Sequence, residues 1–490
     1  MRASGILLPI ASLPSAYGIG CFSKEAYLFV DQLKKGNQKY WQILPLGATG
    51  YGDSPYQSFS TFAGNPYYID LEQLIEEGLL TKEECEACDW GDNIRYVDYE
   101  KVYLSRYDLL RKAYDRVNLS NNREYHKFKE ENTSWLDDYS LYMAIKVQKD
   151  GLSWQEWKED IRIRSDEAME YYQTELAQDI EFYCYLQYLF FMQWAKLKSY
   201  ANDHQIQIIG DIPIYVALDS ADAWANSNLF MFDDNIRPTV VAGCPPDAFA
   251  ATGQLWGNPI YRWEEHKKSN YHWWIERMKH CAKLYDVIRI DHFRGFDEYY
   301  AIPYGHITAE YGEWKAGPGY DLIEAFNREL EGVPIIAEDL GYLTDSVKEL
   351  LDKSGYPGMK VLQFAFDSRE KSNYLPHCYD KNCVVYTGTH DNDTLLGWYR
   401  ILIEEDKEYA NAYADIKGEE DSCKKIIRLA YESVANLVII PIQDFLELGS
   451  EARINIPSTL GNNWKWRLLR KEITDECLDY MKELTMLFER

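Results

Sequence analysis

The feature that most restricts the fold is a set of eight short, β-rich apolar segments. They lie at residues 5–10, 40–46, 205–210, 286–291, 333–338, 359–364, 383–387 and 437–442. Most follow a stretch with helical spacing. Tyr183, Leu186, Leu189, Phe190, Trp194 and Leu197, for example, recur at three- and four-residue steps before the third segment. Apolar strands without polar alternation need cover on both faces, which means a parallel sheet packed with helices. Eight such units predict an α/β fold, the (β/α)8 TIM barrel.

The spacing of the segments is uneven. Between residues 46 and 205 lies far more chain than one barrel helix needs, and it is mostly helical and charged, as at 99–117 and 154–163. The expected organisation is therefore a discontinuous barrel, 1–67 and 182–490, with a helical insertion at 68–181. A second insertion, 238–263, carries a substrate loop, and the tail 464–490 ends in a helix.

A net charge of −27 excludes nucleic acid and anionic membrane surfaces as partners. No apolar run approaches the length of a membrane span, and the run at 6–10 is too short for a signal peptide, so a cytoplasmic protein is expected. The ten cysteines are scattered. Their one close pair, Cys85 and Cys88, has no second pair at zinc spacing, so they read as reduced thiols. With 40 Tyr and 15 Trp, the chain has more flat amphipathic rings than a core needs. Such rings suit ligands that present both apolar and hydroxyl faces, as sugars do.

In a barrel of this kind the reactive groups sit where the strands end. The fourth segment runs Val287-Ile288-Arg289-Ile290-Asp291-His292, ending an apolar strand in charge, which is costly unless the charge is paired or useful. Asp211 follows the third segment, Glu338 and Asp339 the fifth, His390 and Asp391 the seventh, and Asp444 the eighth. Carboxylates thus close five of the eight segments on one rim. A structural salt bridge between Asp291 and an arginine is the plainer reading of one of them, but not of five. Paired carboxylates suit glycosidic chemistry, one as nucleophile or base and the other, kept protonated, as acid. Arg289 lies two residues from Asp291, on the same face, and favours its ionised form. Glu338 emerges from apolar Ile335-Ile336-Ala337, as a proton-holding acid should.

Other chemistries fit less well. His292 and His390 follow different strands without an HxH or HxxxH pair, so no metal is expected. There is no GxSxG elbow, no phosphate-binding loop and no cofactor motif. Gly47-Ala48-Thr49-Gly50-Tyr51-Gly52 reads as a loop that lets backbone approach a ligand. Three loops mix aromatic, hydrogen-bonding, Pro and Gly residues and read as substrate grips. They are 53–67 with Tyr56, 244–259 with Asp247, Phe249, Gln254 and Trp256, and 455–464 with Asn463.

This order of segments resembles the α-amylase superfamily, and within it the 4-α-glucanotransferases of glycoside hydrolase family 77. The most specific pieces are Ser54-Pro55-Tyr56-Gln57-Ser58, Pro245-Pro246-Asp247 with Gly253-Gln254-Leu255-Trp256-Gly257, and Thr389-His390-Asp391-Asn392-Asp393-Thr394. The resemblance spans nearly the whole chain. It implies Asp291 as nucleophile, Glu338 as acid and then base, and Asp391 as stabiliser of the transition state. Tyr56, Asp211, Asp247, Phe249, Gln254, Trp256, Arg289, His292, His390 and Asn463 would contact substrate. It also implies α-1,4-glucans and maltooligosaccharides as partners, no cofactor or metal, and a monomer or weak homo-oligomer. The chain departs from the pattern at Ala248, where some members carry an aromatic, and at Ser458, where Gly is common. An α-glucan hydrolase would use the same three carboxylates. A non-catalytic carbohydrate-binding barrel and a metal-dependent hydrolase are the more distant alternatives.

Overall fold

The computed structural model describes residues 2–50, 52–246, 251–341 and 343–490. Twelve strands are numbered here in chain order: β1 Ala3–Leu7, β2 Tyr40–Gln42, β3 Gln207–Pro213, β4 Val240–Cys244, β5 Gln254–Pro259, β6 Val287–Asp291, β7 Glu298–Pro303, β8 Glu313–Ala316, β9 Ile335–Ala337, β10 Gly358–Val361, β11 Cys383–Tyr386 and β12 Leu437–Pro441. Eight of them pair in parallel in the order β10-β11-β12-β1-β2-β3-β6-β9. These are the eight segments expected from the sequence, and they make the expected barrel.

Side chains two apart along a strand share a face. Leu7, Ile209, Val287, Ile336, Met359, Val361, Val384, Tyr386 and Ile439 form a compact apolar cluster of their own, inside the barrel. The helices pack outside on a larger core that runs without a break into the region before β3. The barrel closes between β9 and β10 through the Ala337 N–H on Pro357 O, at 3.0 Å. Beside it, the Met359 N–H donates to Asp339 Oδ1 at 2.6 Å. A Cβ on Gly358 would stand 2.6 Å from Asp339 Oδ2, so this seam requires glycine. Asp339 is thus a seam residue.

The region between β2 and β3 is helical, with long helices Tyr99–Arg116 and Arg123–Gln148. The helix Ala177–Asp203 leads into β3 and crosses the division drawn at residue 181. At 154–163 the structure holds only the short turns Trp154–Glu156 and Glu159–Arg162. The stretch 238–263 differs from the expected loop. It supplies β4 and β5, which join β7 and β8 in a separate antiparallel sheet, β5-β4-β7-β8. The sequence pattern hid this sheet because Tyr299, Tyr300, Ala301 and Ile302 of β7 are all buried, while all four residues of β8 are exposed. The four buried residues of β7 run without a polar–apolar alternation, and β8 is only four residues long.

Candidate active site

The barrel register assembles the site. Asp211 of β3 pairs with Arg289 of β6, and Ile290 pairs with Ala337 of β9. Glu338 comes next, its N–H donating to Ile290 O at 3.0 Å. Asp291 and Glu338 therefore stand side by side where adjacent strands end. Val287, Arg289 and Asp291 share one face, so the apolar cluster inside the barrel gives way upward to an ion pair and then to the carboxylates.

Arg289 organises the floor. It is 3% exposed, and its Nη1 donates to both oxygens of the fully buried Asp211 at 2.7 Å each and to Asp291 Oδ1 at 3.1 Å. Tyr56 donates its hydroxyl to Asp211 Oδ2 at 2.7 Å and stacks on His390, with centroids 5.2 Å apart at 19°. Burial and the nearby Asp211 hold the Tyr56 hydroxyl protonated. Burial keeps His390 neutral, lowering its pKa against the pull of Asp391.

Glu338 is held by backbone. The His292 N–H donates to Oε2 at 2.8 Å, and the Leu340 N–H donates to Oε1 at 2.6 Å. His292 adopts φ +56, a left-handed conformation, at the turn that leaves β6. Its ring meets Trp256 edge-on at 4.8 Å, and burial lowers its pKa to about 3, so the ring is neutral. The Trp256 indole N–H donates to Gln254 Oε1 at 3.1 Å, making one polar and aromatic wall of these two residues.

Both acid groups are pushed above the ordinary carboxylate range. For Asp291 the causes are burial first, opposed by Arg289, then the charges of Asp211, Glu338 and Asp391. For Glu338 they are burial, opposed by Arg289 and by the two N–H donors. This modifies the expectation that Arg289 alone would ionise Asp291. Much of the Arg289 charge is committed to Asp211, while backbone donors favour the charged form of Glu338. Burial raises both groups, so environment alone does not assign the acid's proton to one of them.

Asp391 projects from the loop after β11, with its side chain 45% exposed. Its Oδ1 accepts from Asn455 Nδ2 at 2.6 Å and lies 3.3 Å from His390 Nε2. Arg453 Nη2 donates to its main-chain oxygen at 2.8 Å. Asn455 lies in the aromatic loop after β12, where Asn463 is the residue expected from sequence. The Asn463 amide is engaged within the loop, accepting from the Ile456 N–H at 3.0 Å and donating to Thr459 O at 2.9 Å. It shapes the turn that carries Trp464, whose ring lies 5.8 Å from Tyr56 and 5.9 Å from His390. Ser458, where the family resemblance led to Gly being expected, takes φ +62, so the turn stands at a strain cost of roughly 1 kcal/mol.

Asp247 and Phe249 lie outside the described residues. Asp444 leaves the rim group expected at the strand ends, since it is 1% exposed and bonded behind the Asp391 loop. The glycine loop at 47–52 also serves the chain itself, with Gly47 bridged to Gly64 and Thr49 to Ser58. A Cβ on Gly47 would meet Ser58 Oγ at 2.3 Å.

Comparison with known proteins agrees along the whole length. The family model described as 4-alpha-glucanotransferase matches residues 8–472. The chain is similar to a 4-alpha-glucanotransferase of Streptococcus pneumoniae, 51% identical over 492 residues, covering 100% of this chain and 97% of that one. It is 50% identical over 483 residues to one from Clostridium butyricum, covering 98% and 99%. Among solved structures, the amylomaltase of Streptococcus agalactiae in complex with acarbose superposes with a TM-score of 0.97 at 41% identity, covering 100% of both chains. On these matches the chain belongs to the 4-alpha-glucanotransferase family.

Proposed function

We propose that this enzyme moves a 4-α-glucan segment from one chain to the 4-hydroxyl of another glucose or maltooligosaccharide by retaining double displacement. The observation that carries the mechanism is the register that sets Asp291 beside Glu338 over the Arg289–Asp211 pair. Asp291 attacks the anomeric carbon while Glu338 protonates the departing oxygen. The acceptor hydroxyl then loses its proton to Glu338 and displaces Asp291. One proton suffices for this pair. As positive charge develops on the anomeric carbon beside Asp291, it favours ionised Asp291 and sends the proton to Glu338.

Asp391 binds sugar hydroxyls in the transition state, and His390, as a neutral ring, assists. Tyr56, Trp256, Gln254 and His292 line the glucan path, with Asp247 and Phe249 assigned to the same grip from sequence. Residues 68–181 serve as a helical subdomain built onto the barrel. The S. agalactiae relative was solved with acarbose, which supports a saccharide cleft. The expected setting is cytoplasmic, consistent with the finding that no described helix is long and apolar enough to cross a membrane.

The test is to supply maltotriose alone and separate the products by size. Glucose plus a ladder of longer maltooligosaccharides, with constant reducing ends, is expected. Glucose and maltose with rising reducing ends would make the chain a hydrolase, and an unchanged substrate would overturn the activity.

A further inference from the structure

A buried carboxylate behind the Asp391 loop has no place in the chemistry above. Asp444 sits on the short helix Ile442–Phe445 directly after β12 and is 1% exposed. Among the described residues, no Lys or Arg pairs with it. Burial raises its carboxyl to about 7, with nearby Asp393 adding to the shift. An unpaired acid in an apolar setting is costly, and an apolar residue would serve packing better.

What Asp444 touches supplies a reason. Thr387 Oγ1 donates to its Oδ2 at 2.5 Å, and the Leu395 N–H donates to its Oδ1 at 2.8 Å. Thr387 is the first residue beyond β11, and Leu395 is the first of the helix Leu395–Ile401. One carboxyl thus ties together both feet of the loop that carries His390 and Asp391. Inside the loop, Asn392 Oδ1 accepts from the Thr389 N–H at 2.8 Å, and Asp393 Oδ2 accepts from Ser450 Oγ at 2.7 Å. The feet, Thr387 and Leu395, are fully buried, while Asp391 at the tip stays open.

We infer that Asp444 is a positioning residue for the transfer reaction, fixing the span of the Thr387–Leu395 loop so that Asp391 meets the sugar in the transition state. The inference rests on the reading of Asp391 as the transition-state group. The role needs two hydrogen-bonding positions rather than a charge. An Asn side chain can accept from Leu395 through Oδ1 and donate to the Thr387 hydroxyl through Nδ2. A misplaced loop lowers kcat more than it alters KM, because the interaction lost is made in the transition state.

The experiment compares the wild type, Asp444→Ala, Asp444→Asn and Thr387→Val in maltotriose disproportionation, with circular dichroism to fix the folded fraction. Asp444→Ala should lose on the order of tenfold or more in kcat per folded enzyme, with KM within about twofold. Asp444→Asn should keep most of the activity. Thr387→Val removes one limb of the tie and should show a smaller loss of the same kind, which keeps the test open if Asp444→Ala does not fold. Each pair is repeated in an Asp391→Ala background, where the effect on residual turnover of an activated glycosyl fluoride should vanish. An unchanged kcat in folded Asp444→Ala or Thr387→Val, or an equal loss without Asp391, would overturn the inference. Full activity of Asp391→Ala itself would instead refute the reading of Asp391.

Discussion

Arg289→Met removes the one cation of the catalytic floor while keeping most of the side-chain volume. The fully buried Asp211 would lose both 2.7 Å contacts from Arg289 and keep the Tyr56 hydroxyl, and Asp291 would lose its 3.1 Å contact. Breaking a buried pair by removing one member costs about 3–5 kcal/mol, because the remaining charge stays uncompensated. For a chain of 490 residues the unfolding entropy is roughly 1 kcal/mol per kelvin, so the melting temperature should fall by about 3–5 °C. Without Arg289, which draws it down, the Asp291 carboxyl is raised further in the folded state. The deficit should therefore be largest near pH 8 and shrink toward pH 5, as the folded protein takes up protons that the unfolded chain does not hold. Arg289 is also what draws the Asp291 carboxyl down, so its loss should move the acid limb of kcat/KM to higher pH. Calorimetry and a pH–rate profile measure both effects. Adding Asp211→Asn should recover part of the lost stability, since the uncompensated acid is then gone. Equal melting at both pH values, or strictly additive losses in the double variant, would refute the reasoning.

Two further outcomes follow from the same contacts. Tyr56→Phe deletes the 2.7 Å hydroxyl donor to Asp211 but keeps the ring stacked on His390. It should lower kcat/KM by about tenfold, the worth of one hydrogen bond to a charged group, and unchanged kinetics would remove Tyr56 from the floor network. His280 is buried with Nε2 2.8 Å from Phe62 O, and burial lowers its pKa to about 4. Its neutral form belongs to the fold, so the stability it contributes is full above its unfolded value of about 6.5 and is lost as pH falls toward 4. Urea midpoints should therefore drop more steeply from pH 7 to pH 5 in the wild type than in His280→Gln. Parallel slopes would count against this assignment.

The barrel was legible because its eight strands are buried on both faces and so read as apolar runs. The carboxylates were legible because a strand that ends in charge interrupts such a run, as Asp291 and Glu338 do. What stayed hidden depends on where side chains turn after the strand ends. Asn455 and Asn463 look alike in the chain, yet one amide reaches Asp391 and the other folds its own loop. Asp444 looked like a rim carboxylate because it follows β12, but the short helix Ile442–Phe445 turns it behind the Asp391 loop. Electrostatics was the least legible. The pairing of Arg289 with Asp291 could be read from their two-residue spacing, while the stronger claim of Asp211 on Arg289 depends on register between β3 and β6. The β5-β4-β7-β8 sheet escaped because the four central residues of β7 are all buried and β8 is a short strand exposed throughout.

The central claim is that Asp291 becomes covalently bonded to the transferred sugar. The most direct measurement is intact and peptide mass spectrometry of Glu338→Gln incubated with an α-maltosyl fluoride. Fluoride departs without an acid, and the second step lacks its base, so the intermediate should accumulate. A mass gain of one maltosyl group is expected on the peptide that contains Asp291. A folded variant that binds the donor yet gains no mass, or carries the sugar on another residue, would contradict it.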